Sequence, residues 1–167
     1  STINKGRTTS RQILSEHAKY NWLLFLDADV MPKEHLFIKN YIDQLQSNTD
    51  AIFGGVCYKK EKPDTDYLLR WIYGSRKEEV SAIERQQTPY KLIASANMLI
   101  KKNVFCAINS SINHSRYGMD NYFGAKLKEN NHSVIHINNP VYHLGLETGI
   151  TYLNKKEQAA DTLLHLS

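Results

Sequence analysis

Cysteine is scarce in this chain. Its 167 residues hold two, Cys57 and Cys106, far apart and without metal-ligand spacing. That pattern excludes a disulfide framework and a thiolate metal site, and leaves two buried free thiols in a reducing compartment as the expectation. Proline is scarce too, and there is no low-complexity tract and no internal repeat, which argues against fibrous, solenoid and disordered classes. No apolar run approaches the ~20 residues that a membrane helix needs, and the first residues carry no signal-peptide pattern. Charge of one sign is also limited. The net +4 suits an anionic ligand or a lipid surface and is too weak to argue for nucleic acid. What these absences leave is an ordinary globular chain, 1–167, long enough for one well-buried core and not for two.

The most informative stretch that is present is Trp22-Leu23-Leu24-Phe25-Leu26-Asp27-Ala28-Asp29-Val30. A short continuous apolar run bounded by turn residues reads as a strand buried on both faces. In an open α/β sheet, ligands collect beyond the carboxyl ends of strands, so an Asp-x-Asp at such an end faces the expected site. Two carboxylates this close repel, and a divalent cation with a taste for hard oxygen ligands, Mg²⁺ or Mn²⁺, is the usual reason to tolerate them. The structural alternative is that one Asp caps a turn or helix while the other is solvated.

Thr8, Thr9 or Ser10 is expected to cap a helix running to about Lys19, with Ile13, Leu14 and Ala18 on its inner face. Arg7 and Arg11 stand at its start, where a cation is unfavourable against the helix dipole unless an anion is nearby. After the central strand comes a turn at Val30-Met31-Pro32. A helix from about Lys33 to Gln46 follows, with Leu36, Ile38, Tyr41, Ile42 and Leu45 as apolar positions. Asp50 to Tyr58 reads as one strand, in which Gly54-Gly55 marks a bulge or a close approach of ligand to backbone. Residues 59–89 are charged and rich in Tyr, Trp and Arg. They are expected to form a mobile insertion on the acceptor side, with a short helix at Tyr67 to Tyr73; a merely solvated insertion is the alternative. Tyr90 to Ile100 returns to strand character, and Val104 to Ile108 to helix. A helix opens at Gly118-Met119-Asp120-Asn121 and ends at Asn130-Asn131. Short strands at Val134 to Ile137 and Val141 to His143, then a helix from about Leu153, complete the chain, which is expected to continue beyond Ser167.

Asp120 at a helix start is either a cap or a general base. His143, at the end of a short strand, is either a hydrogen-bonded structural residue or a partner to a carboxylate in a Mn²⁺ site. In combination these positions are more specific. Asn4-Lys5-Gly6-Arg7 with Arg11, Leu24-Phe25-Leu26-Asp27-Ala28-Asp29, Ser95-Ala96-Asn97-Met98-Leu99-Ile100, Gly118-Met119-Asp120-Asn121 and Val141-Tyr142-His143-Leu144-Gly145 occur in one order. In this the sequence resembles the family 2 glycosyltransferases over nearly its whole length.

The resemblance implies a GT-A fold, a Rossmann-like mixed sheet flanked by helices. It also implies inverting transfer of a hexose-type sugar from a UDP- or GDP-sugar to a glycan or lipid-linked acceptor, in polysaccharide or surface-glycan synthesis. Asp27 would lie near ribose and sugar, Arg7 or Arg11 would reach the nucleotide, and Asn97 would bind from the strand that lines the sugar and acceptor pocket. Asp29 and His143 would hold Mn²⁺ or Mg²⁺, and Asp120 would deprotonate the acceptor hydroxyl. A cytoplasmic location at the inner face of the membrane, with peripheral association, goes with that reading. The family's usual acid before the base is here Met119. Its opening nucleotide-binding strands have no counterpart, so a domain truncated at its N-terminus is expected. The rival readings are a non-catalytic nucleotide-binding or scaffold fragment and a metal-dependent phosphohydrolase. Val30-Met31-Pro32 lacks the Thr that a haloacid-dehalogenase-like site expects after its second Asp.

Overall fold

The computed structural model describes residues 6–45, 48–112 and 118–166. Four strands form the larger sheet, in the order β1 (Trp22–Leu26), β5 (Asn97–Lys101), β3 (Ala51–Phe53), β6 (Val134–His136). The β1–β5 and β5–β3 pairs are antiparallel and β3–β6 is parallel. A smaller sheet runs β2 (Val30–Pro32), β7 (Val141–His143), β4 (Val56–Cys57), with β2 antiparallel and β4 parallel to β7. The large sheet is covered on both faces. Alternate residues send Ala51, Phe53, Met98 and Ile100 to one side, as period-2 geometry requires. There they meet Val104, Phe105 and Ile108 of α5 (Lys102–Ser110) and Phe123 and Leu127 of α6 (Met119–Glu129). Ile52 and Leu99 point the other way, onto Phe37 and Tyr41 of α2 (Phe37–Ile42). Full burial of a side chain such as Phe53 or Phe105 contributes about 2–3 kcal/mol each. The result is a mixed α/β fold of the GT-A kind.

Several sequence expectations change for identifiable reasons. β1 is an edge strand among the described residues, so only Leu23 is buried and Leu26 is 40% exposed; the run is apolar but not enclosed on both faces. Val30-Met31-Pro32 is a strand rather than a turn, because β7 offers it a partner. The second helix is shorter than its apolar pattern suggested, and Leu36, Ile38, Ile42 and Leu45 are exposed while Phe37 and Tyr41 carry the packing. The first helix, α1 (Gly6–His17), buries Ser15 rather than Ile13 and Leu14. Its inner face packs on α5, where Ser15 Oγ lies 3.3 Å from Cys106 Sγ and Asn109 Nδ2 donates to the Thr8 carbonyl and Gln12 Oε1. Asp50 to Tyr58 is broken into β3 and β4. The stretch read as strand from Tyr90 becomes strand only at Asn97.

Residues 65–87 hold regular structure: a 3₁₀ turn at Thr65–Tyr67, α3 (Leu68–Tyr73), a π-helical turn at Gly74–Glu78 and α4 (Ala82–Gln87). α4 is held by a capping box in which Ser81 Oγ accepts from the Glu84 amide and Glu84 accepts from the Ser81 amide. The chain closes with α7 (Gly149–Leu166), which packs on α3 and α6. Among the described residues no helix is long and apolar enough to cross a membrane.

Candidate active site

Three segments leave the large sheet and enter the small one side by side: Asp27-Ala28-Asp29 between β1 and β2, Gly54-Gly55 between β3 and β4, and Ile137 to Pro140 between β6 and β7. Gly54 accepts from the Asn139 amide, and the Val141 amide donates to the Gly55 carbonyl. Gly55 has φ +85°, a left-handed conformation that favours glycine. Asn97, fully buried, ties two of the crossings together. Its Nδ2 donates to the Gly55 carbonyl at 2.8 Å and the Asn139 carbonyl at 2.9 Å, and its Oδ1 accepts from Tyr41 Oη at 2.6 Å. Burial pushes the Tyr41 hydroxyl pKa up, so it stays a donor. Asn97 is thus not brought to the cleft: its side chain is spent on the junction.

The other predicted residues do converge. Arg11 Nη2 pairs with Asp27 Oδ1 at 2.5 Å and donates to the Ser95 carbonyl at 3.0 Å. Arg7, one helical turn earlier on the same face, lies 3.5 Å from Asp27 Oδ2 and 3.7 Å from Asp120 Oδ1. The anions that excuse two cations at a helix start are therefore the protein's own carboxylates. The two arginines differ. Burial lowers the Arg11 pKa, against the attraction of Asp27, and its short bond makes it a fixed strut. Arg7 is half exposed, and ion pairs of that kind are worth about 0–1 kcal/mol, so an incoming anion can take it. Asp120 sits in the first turn of α6 behind Gly118, whose φ of +89° starts the helix; no side chain caps it, and Asp120 itself reaches out to Arg7 rather than back to the helix amides.

Across the cleft, the β2–β7 register places Val30 opposite His143 and so brings Asp29 to it, with His143 Nε2 3.7 Å from Asp29 Oδ2. The Leu144 amide donates to the Asp29 carbonyl at 2.8 Å, and Gly145 lies so close under the Asp29 carboxylate that a β-carbon there would overlap it. Burial, then Arg70, lowers the His143 pKa, with Asp29 opposing, so the imidazole is held neutral and able to ligate. Its Nδ1 is buried with no hydrogen-bond partner among the described residues. Among those residues no cluster of three His, Cys, Asp or Glu forms an all-protein metal cage. One carboxylate and one imidazole still fit a Mg²⁺ or Mn²⁺ ion that takes its remaining ligands from phosphate and water.

Asp27, Arg7, Asp120 and His143 line one open cleft of about 440 Å³. A family model described as glycosyl transferase family 2 matches residues 1–112. The chain belongs to that family. It is a glycosyltransferase domain, and the match covers Arg7, Arg11, Asp27 and Asp29 while Asp120 and His143 lie beyond it. No curated protein matches the chain.

The same glycosyltransferase cleft contains groups the sequence did not single out. Arg70 is buried between the rings of Tyr58 and Tyr152, its Cζ 5.5 and 5.1 Å from their centroids, and pairs with Glu78 at 2.9 Å. Tyr58 Oη donates to the same Glu78 oxygen. Arg85 lies beneath Gly55. The intermixed Tyr, Trp and Arg of 59–89 were the available signal, but nothing local says which arginine turns inward.

Proposed function

We propose that this domain transfers a sugar with inversion from a nucleoside diphosphate sugar to an acceptor hydroxyl, with Asp120 as general base. The observation that carries the reading is the position of Arg7, shared between Asp27 on the donor side and Asp120 at the start of α6. One half-exposed cation thus links the two carboxylates to which this reading gives separate roles.

Asp27 orients the ribose and sugar, itself held by Arg11. Asp29 and His143 would hold a divalent cation, Mn²⁺ or Mg²⁺, which would supply positive charge to the diphosphate leaving group. Arg7 moves from Asp120 to the donor's negative charge, leaving Asp120 to take the acceptor proton as the hydroxyl oxygen attacks the anomeric carbon and the C–O bond to the diphosphate breaks. The residues 59–89, which supply the far wall of the cleft, form its acceptor side. A glycan or lipid-linked acceptor, a role in polysaccharide or surface-glycan synthesis and peripheral attachment at the inner membrane face extend the same proposal.

Calorimetric titration of UDP, then GDP, each with and without Mn²⁺, tests it. Metal-dependent binding of one nucleotide is expected. Binding that ignores the metal, or none, would remove the donor half of the proposal.

A further inference from the structure

One side of the cleft balances its charges: Arg7 and Arg11 face Asp27 and Asp120. The opposite wall does not. Its carboxylate, Glu78, is already engaged by Arg70 and by the Tyr58 hydroxyl. Lys77 and Lys156 line the same wall and, among the described residues, neither pairs with a carboxylate. Lys156 is not simply splayed into solvent. Its Nζ lies 4.5 Å from the centroid of Tyr73 and 5.3 Å from that of Tyr152, which orients the ammonium.

Beneath Gly55 at the cleft floor stands a further cation without a counter-ion. The Arg85 guanidinium donates to the carbonyls of Val80, Phe53, Gly54 and Ile137 and to His136 Nδ1. All of these acceptors are neutral, so the charge is solvated by dipoles and its field is left uncancelled. A cleft with low-dielectric walls focuses such a field toward its opening. Burial lowers the Arg85 pKa to about 10, which still leaves it charged at neutral pH.

We propose that the acceptor carries an anionic group beside the hydroxyl that Asp120 deprotonates, and that Lys77 and Lys156, over the buried charge of Arg85, receive it. This rests on the transfer reading of the cleft. The shared chemistry is a sugar hydroxyl next to a phosphate or a carboxylate, as in a phosphate-linked sugar or an acidic glycan. The wall belongs to α3, the π-helical turn and α7, whereas Asp27 and Asp29 lie between β1 and β2.

The test is calorimetric binding of glucose 1-phosphate, glucuronate and methyl glucoside to the intact chain, at low and high salt. At least one of the two anionic probes is expected to bind about tenfold or more tightly than the neutral sugar, weakening with salt. Lys156→Gln and Lys77→Gln, both at accessible positions, are each expected to cost about tenfold for that probe. Preference for glucose 1-phosphate assigns a phosphate-bearing acceptor, and preference for glucuronate an acidic glycan. Equal binding of the neutral sugar, no binding of any probe, or indifference to both substitutions overturns the proposal. So does competitive displacement of the probe by UDP with Mn²⁺, which would hand these lysines to the donor. If the anionic probes bind while UDP with Mn²⁺ does not, the anion subsite stands and the transfer reading of the cleft falls.

Discussion

His143 Nε2 and Asp29 Oδ2 lie 3.7 Å apart because two short strands meet: β2 begins one residue after Asp29, and its Val30 pairs with His143 of β7. His143 Nδ1 is buried without a hydrogen-bond partner among the described residues, and the Asp29 carboxylate is about half exposed. Removal of either should weaken cation binding without disturbing the large sheet. Asp29→Ala and His143→Ala are each expected to weaken Mn²⁺-dependent nucleotide binding by about 10- to 100-fold, measured by calorimetry. Unchanged affinity in either variant would take that residue out of the metal site.

Gly145 offers a gentler test of the same pair. A methyl at this position overlaps the Asp29 carboxylate and must push it from its present place. Gly145→Ala should lower Mn²⁺ affinity by about tenfold while circular dichroism and Tm stay near those of the parent. Full Mn²⁺ affinity in a folded variant would show that the carboxylate's present position is not the binding one.

Asp120→Asn keeps the shape of the first turn of α6 and removes its basicity. Sugar transfer should fall by about a hundredfold or more, with donor affinity held. Loss of donor binding and transfer together would make Asp120 a donor ligand instead of the base.

Asn97 should behave as a structural residue. Asn97→Ala takes the Asn97 donor from the Asn139 carbonyl, leaves the Gly55 carbonyl with the Val141 amide alone and removes the acceptor of the shorter Tyr41 bond, at a cost of about 2 kcal/mol in urea unfolding. Nucleotide affinity of the folded fraction should stay within about twofold. A large loss of affinity at unchanged stability would return Asn97 to the donor site.

Acid should destabilise the junction through His136. Its Nδ1 accepts from Arg85 at 2.7 Å, so Nε2 carries the proton and donates to the Pro89 carbonyl at 2.9 Å. Burial first, and then Arg85, lowers its pKa below the ordinary 6.5, against the Pro89 bond. Above pH 6.5 both folded and unfolded states hold the ring neutral and nothing is lost. As pH falls below 6.5 the unfolded chain takes up a proton that the folded one resists, and stability declines toward the folded pKa by at most about 1.4 kcal/mol per pH unit. Denaturation curves from pH 7.5 to 5 should show this slope in the parent and lose it in His136→Gln. An equal slope in both would assign acid lability to other groups.

The elements that carry the candidate residues were legible locally. Asp27 and Asp29 follow an apolar run, Gly118 precedes Asp120, and Val141 to His143 forms a short strand; each is a pattern of neighbouring residues, and each residue falls in the element its pattern predicts. Ile13, Leu14, Ile38 and Ile42 misled because apolar character says that a residue may be buried, not which neighbour arrives to bury it. Partners distant in sequence settled the remainder. Arg85 reads as one more charge in a polar segment until the capping box of α4 turns it under Gly55, and Asn97 reads as a site residue until Gly54-Gly55 and Asn139 close around it. By itself the sequence determined the start of α6, the acidic turn and the family, since these rest on backbone preferences and contiguous motifs. Only the tertiary structure decided that three sheet crossings lie side by side and that Arg7 stands between two carboxylates. Those depend on strand register and helix packing, which join residues that the chain keeps far apart.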